Sequence, residues 1–142
     1  MRCTRCGICC KQTQMPLSKK DIKLLQKAGH NPKQFIRINK QGYAQLQNKQ
    51  GYCIFYDTQN HTCKVYRQRP MGCRLYPIIY SEEEGVIVDG ICPTKETVAR
   101  TEIKSKTTTL MQLLRAVDEQ AAQRQLQKQE LSTLNHKHVN QS

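Results

Sequence analysis

Tryptophan is missing from this chain and phenylalanine is scarce. Its 142 residues include no tryptophan and two phenylalanines, and hydrophobic residues make up 37%. The apolar inventory of residues 1–96 is thin for a self-sufficient core, so bound metal is expected to contribute a large share of the folding free energy, as in zinc fingers. No apolar run approaches a membrane span, and the opening Met1-Arg2-Cys3 has no apolar signal core. These absences point away from the membrane and toward a cytoplasmic protein. Paired carboxylates are lacking, as are a Gly-rich strand–helix motif and any internal repeat at solenoid spacing. Glu82-Glu83-Glu84 reads as a solvated turn, so no catalytic constellation is identified. None of the four histidines has ligand-like spacing; His61, in a turn between Cys53 and Cys63, is the one placed near candidate ligands.

Negative charge is also scarce. Lysine and arginine number 23 against 11 aspartates and glutamates, a formal charge of +12. Residues 1–100 carry 17 against 7, hence +10, and residues 101–142 carry 6 against 4, hence +2. Four thiolates around a divalent zinc or an oxidised four-iron cluster leave −2 per site, so two such sites would bring the folded protein to about +8. The basicity is therefore either local compensation for thiolates or a surface for a polyanion. Lys19, Lys20, Lys23, Lys27 and Lys33 read as a solvated helix face or as a surface for nucleic acid or an acidic protein. The aromatic residues are mostly tyrosines near cysteines, not the exposed stacking platform of a single-strand binder.

Cysteine, in contrast, is abundant. Cys3, Cys6, Cys9 and Cys10 lie in the first ten residues, and Cys53, Cys63, Cys73 and Cys92 follow. A thiolate is a soft, strongly donating ligand, and i, i+3 spacing lets one turn present two sulfurs to one ion or cluster. In a reducing compartment such a set reads as a metal site before it reads as a disulfide scaffold. Cys3, Cys6 and Cys9 form the C-x2-C-x2-C run that starts a ferredoxin-type loop, and Cys92-Pro93 has the dipeptide often found at its fourth thiolate. No second CxxC pair lies away from the N-terminal run, which favours an iron–sulfur cluster, 4Fe-4S in type, over zinc. Neighbouring side chains do not readily converge on one small centre, so Cys9 and Cys10 are expected to serve different sites, unless Cys10 is a spare. Eight sulfurs divide into two four-thiolate sites or supply one site with some left over.

Local signals place these residues on an α+β fold. It is a small metal-stabilised domain of short helices and β-hairpins, followed by a long C-terminal helix. Ser18 with Asp21 predicts a capping box, and Leu17 staples onto Ile22. Ile22, Leu25 and Ala28 share a helical face with Leu24 beside it, and Gly29 takes the C′ position. Asn31-Pro32 opens a second short helix over Phe35 and Ile36. Residues 43–47 alternate, and a turn at 48–51 leads into a partner strand over 52–56. A second turn at 57–60 returns to Cys63 and brings it toward Cys53. Pro70 and Pro77 bracket one helical turn bearing Cys73. Ile78–Tyr80 and Val86–Val88 form a further hairpin, and Cys92 arrives on a turn. Val98, Ile103, Leu110, Leu113, Leu114 and Val117 mark one helix over about 97–130, with a candidate break at the threonines 107–109. Its leucine face either packs on its own domain or docks a protein partner. The organisation expected is a metal-binding domain at 1–96, a helical extension at 97–131 and a disordered tail at 132–142. The cysteine loop at 1–12 is expected to be held by metal rather than by a core.

The combined spacing resembles the YkgJ-type cysteine-cluster family, a zinc- or iron-chelating CxxCxxCC domain. The matching residues are Cys3-x2-Cys6-x2-Cys9-Cys10, Cys53, Cys63-Lys64-Val65-Tyr66-x2-Arg69-Pro70-x2-Cys73-Arg74-x2-Pro77 and Cys92-Pro93. The resemblance covers residues 1 to about 95 and implies that all eight cysteines are candidate ligands. It extends to a region of the larger flagellin lysine methylases, which implies an accessory role beside a methylase-type enzyme rather than a complete methylase; the iron–sulfur reading itself carries the expectation of a redox protein. Arg69 and Arg74, beside thiolates, are expected to donate N–H bonds to sulfur and offset the negative charge of a bound centre.

Overall fold

The capping box at Ser18 forms as its spacing requires. In the computed structural model, which describes residues 7–139 and side chains as far as residue 135, Asp21 N–H donates to Ser18 Oγ at 3.1 Å and Ser18 N–H to Asp21 Oδ2 at 3.0 Å. These bonds start α1 (Lys19–Lys27), which buries Leu25 and leaves Leu24 exposed. Gly29, at φ 99°, ends it in the left-handed region. Asn31 caps α2 (Pro32–Phe35) through Lys33 N–H, with Pro32 in the first turn. This helix stops one residue earlier than expected, because Ile36 already pairs in a strand.

Four small antiparallel hairpins follow. β1 (Ile36–Ile38) pairs with β2 (Ala44–Leu46), Ile36 opposite Leu46. β3 (Asn48–Lys49) pairs with β4 (Tyr52–Cys53), and β5 (Tyr56–Asp57) with β6 (Thr62–Cys63). Residues 44–46 of the alternating stretch therefore turn back onto residues 36–38, while Gln47 pairs forward, its carbonyl accepting from Ile54 N–H at 2.9 Å. A single 3₁₀ turn at Tyr66–Gln68 leads to α3 (Met71–Leu75), entered from Pro70. β7 (Ile78–Ser81) and β8 (Gly85–Val88) form the last hairpin in the register Ile78↔Val88 to Ser81↔Gly85.

Two cores hold these pieces together. The first contains Leu17, Leu25, Phe35, Ala44, Leu46, Phe55 and Val65, with Cys53 among them. The only two phenylalanines meet in it, ring centroids 5.6 Å apart, and His30 packs edge-on to Phe55 at 5.0 Å. The second joins Leu75 and Ile78 to Leu110, Leu113 and Val117 of α4 (Arg100–Val139). The leucine face of the long helix thus packs on its own domain. Each such side chain contributes on the order of 2 kcal/mol by burial.

The helix is continuous through the threonines 107–109, where Thr107 Oγ1 satisfies itself on the carbonyl of Ile103 at 2.7 Å. It continues past 131 to Val139, so the first part of the segment 132–142 is helical. The outer turns also touch the body. Gln120 Oε1 accepts from Lys19 N–H at 2.9 Å, and Tyr43 Oη donates to Asp118 at 2.6 Å. Arg124 and Gln125 donate to the carbonyls of Gly42 and Lys40 at 3.0 and 2.6 Å. No helix among the described residues is long and apolar enough to cross a membrane.

Candidate metal centre

The described part of the N-terminal segment is held by backbone rather than by metal alone. Cys53 N–H donates to Cys10 carbonyl at 2.6 Å and Gln12 N–H to Gly51 carbonyl at 2.7 Å. Asn48 brackets Thr13 through its side chain, accepting from Thr13 N–H at 3.0 Å and donating to Thr13 carbonyl at 2.9 Å. Leu46 N–H donates to Met15 carbonyl, and Leu17 N–H to Ala44 carbonyl. Residues 10–17 therefore run as an added strand along β2 and β4, a long-range pairing that local spacing does not announce.

This ladder carries Cys9 and Cys10 to the floor of a cavity of about 80 Å³. Cys53 arrives on β4, Cys63 on β6 opposite Tyr56, and Cys73 on α3. Cys92 sits on the turn after β8, its N–H on Asp89 carbonyl at 3.3 Å. All six described cysteines line the one cavity. Cys3 and Cys6 lie outside the described residues. Cys9 and Cys10, expected to serve different sites unless Cys10 is a spare, both line this cavity. They sit in a tight turn closed by Cys10 N–H on Gly7 carbonyl, not in extended chain, and their sulfurs hydrogen-bond each other.

That pair divides its protons unequally. The bond from Cys10 lowers Cys9 to about 7, with Arg69 adding its positive charge. Cys10 is raised by the same bond, then by burial. Burial first, and neighbouring sulfurs after it, raises Cys73, and burial pushes Cys53 up to about 11. These sulfurs repel one another's ionisation, the electrostatic condition a cation relieves on binding.

The two arginines part company. Arg69 lines the cavity, its guanidinium 4.0 Å over the Tyr66 ring and its Nε on Tyr66 carbonyl at 3.0 Å. Its charge favours ionisation of both Cys9 and Cys73. Arg74 does not line the cavity; it clamps the carbonyls of Arg69 and Arg67 at 3.1 and 3.0 Å. Its two bonds fix the backbone that carries Arg69. His61 is exposed with φ 51° and meets Tyr56 Oη through Nδ1 at 3.3 Å, outside the cavity wall.

Other wall residues carried no sequence signal. Tyr76 faces the cavity and donates to Asp89 Oδ2 at 2.8 Å, while Asp89 Oδ1 accepts from Ile91 N–H at 3.2 Å. Asp89 thereby shapes the turn that delivers Cys92. Thr94 Oγ1 lies 3.4 Å from Cys92 Sγ. Met15 fills the space over Gly72 on α3.

Six inward sulfurs around a cavity rimmed by an arginine suit a thiolate-bound cation. The fold and this donor set define a small cysteine-rich metal-chelating module. Residues 2–93 match the family described as "CxxCxxCC: Putative zinc- or iron-chelating domain", and the chain belongs to that family. Over 80 residues, 53% of this chain, it is 32% identical to "Uncharacterized protein MJ0661" of Methanocaldococcus jannaschii. The match spans 43% of that relative, so the chain corresponds to less than half of its length. No solved structure matches the chain.

Proposed function

We propose that the chain binds an iron–sulfur cluster through its cysteines and works as a redox or accessory protein in a reducing, cytoplasmic setting, alongside a protein partner. One observation carries the preference over zinc. A tetrahedral zinc with bonds of about 2.3 Å gathers its sulfurs to about 3.8 Å from one another. Six cysteines of the described residues line one cavity, more sulfurs than the four that a single tetrahedral zinc takes. The cavity of about 80 Å³ is also several times what one water-sized atom needs, about 10–15 Å³. Six sulfurs around a space for several atoms suit a polynuclear centre.

Bound there, a cluster would supply one-electron chemistry. The protein's own part would be to supply the cluster's thiolates from among Cys9, Cys10, Cys53, Cys63, Cys73 and Cys92, with Cys3 and Cys6 as further candidates. Arg69 offsets their charge, and the apolar wall of Met15, Leu46, Phe55 and Val65 keeps water away. The experiment is metal content, acid-labile sulfide and visible spectrum after anaerobic purification. Brown protein with iron and sulfide near four or more per chain is the expected result, on the order set by a four-iron cluster. Colourless protein carrying one or two zinc ions would replace this reading with a zinc-stabilised module that binds nucleic acid or an acidic protein.

A further inference from the structure

A second concavity lies on the outer side of the cavity wall. It is an open groove of about 590 Å³ bounded by Lys49, Gln50, Tyr52, Tyr56, Gln59 and Lys64, among others. Cys53 and Tyr56 border both the groove and the cysteine cavity, so the partition between them is a single layer of residues. The Tyr52 and Tyr56 rings stack on this partition, centroids 5.4 Å apart and planes at 24°.

The charge of the groove is positive on balance. Lys49 and Lys64 are exposed, and exposed Lys11 joins the same edge through its bridge to Tyr52. None of the three takes part in an ion pair among the described residues. The one acidic wall residue, Asp57, keeps its charge, which its turn and the nearby Lys64 both favour. Its oxygens accept from Gln59 N–H at 3.0 Å, Asn60 N–H at 3.2 Å and Asn60 Nδ2 at 2.9 Å.

We infer that this groove is the docking face for an acidic one-electron carrier, and that Lys49 and Lys64 recognise its carboxylates. The inference rests on the iron–sulfur reading above and adds the partner's chemistry and place. Charge complementarity selects an anionic surface, and the stacked tyrosines offer a flat apolar centre for it. The partition of Cys53 and Tyr56 puts the docked carrier on the thin side of the cavity. The electron balance is simple: the carrier is oxidised by one electron, the bound cluster is reduced by one, and no covalent bond is made or broken.

Flavodoxin, an acidic flavin carrier, serves as the probe. Carbodiimide coupling between flavodoxin carboxylates and protein amines, mapped by mass spectrometry, reads docking independently of electron flow. Cross-links concentrated at Lys49 and Lys64 are expected. The rate of cluster reduction by flavodoxin hydroquinone should fall with added salt, and fall about tenfold in the Lys49→Glu/Lys64→Glu variant. Cross-links spread equally over the α1 lysines, with the variant reduced at the wild-type rate, would overturn the inference. Wild type that ignores flavodoxin but binds a single-stranded oligonucleotide, with binding lost in the variant, would overturn it in favour of nucleic acid. Iron and sulfide counted on the same sample separate these outcomes from failure of the cluster reading itself.

Discussion

Asp21 and Met71, fifty residues apart in sequence, are joined by a 3.0 Å hydrogen bond from Met71 N–H to Asp21 Oδ1. The other carboxylate oxygen takes Ser18 N–H, so one buried side chain caps α1 and also anchors the first turn of α3, the helix that holds Cys73. Asp21→Ala leaves two backbone donors without their acceptor. A loss of about 2–3 kcal/mol is expected, read as a lower urea midpoint with unchanged slope. Metal retention should fall with it, because α3 is no longer fixed to α1. A stability change below about 0.5 kcal/mol would mean that water replaces both bonds without cost.

Gly7 offers a steric test of the same wall. Its φ is 82°, and a Cβ there would meet the Tyr56 hydroxyl, with Tyr56 Cζ at 2.6 Å. Gly51 has φ 83° with nothing within 4 Å of an added Cβ, so it isolates the conformational part. Gly51→Ala should cost about 1 kcal/mol, the left-handed penalty alone. Gly7→Ala should cost clearly more and lower metal content, since the turn bearing Cys9 and Cys10 must shift. Equal behaviour of the two variants would show that Tyr56 moves aside freely.

The metal-free protein should weaken in alkali. Burial lifts the Cys53 thiol from its ordinary 9.0 to about 11, so the fold favours the protonated form. The stability gained from this is full below pH 9 and disappears as pH rises through about 11. For Cys53 alone it is on the order of 2–3 kcal/mol. Cys10 and Cys73 are raised and act in the same direction. Cys9, lowered to about 7, acts oppositely: its contribution is complete above pH 9 and is lost as pH falls through 7. Denaturant midpoints under reductant should therefore drop between about pH 9 and 11, a window set by the Cys53 shift. Cys53→Ala should flatten the slope. A midpoint that holds or rises across the window would contradict the burial of these thiols.

Much of the frame could be read from local spacing. Ser18 with Asp21, Asn31 with Pro32, and Cys73 between Pro70 and Pro77 each act within a few residues, and each formed its element. What escaped was long-range. Residues 10–17 pair with strands about 30 to 40 positions away, and no periodicity within the segment encodes that partner. The convergence of Cys9 and Cys10 followed from a turn that spacing alone cannot distinguish from extended chain. Arg69 and Arg74 looked equivalent as neighbours of Cys73, yet only the backbone path after the 3₁₀ turn sends Arg69 to the cavity and Arg74 to carbonyls.

One cavity shared by six cysteines makes a sharp prediction about stoichiometry. Two independent four-thiolate sites would each answer to their own ligands, so a single Cys→Ser change would leave the other site filled and about half the metal in place. A common centre behaves otherwise. Cys53, on β4, and Cys92, on the turn after β8, come from opposite ends of the domain but line the same space. Cys53→Ser and Cys92→Ser should therefore each remove most of the iron, not half, and change the visible spectrum in the same way. The double variant should be little worse than either single one, because groups that act as one unit are not additive. Iron that falls by half in each single variant, and to nothing only in the double, would divide the cavity into two centres.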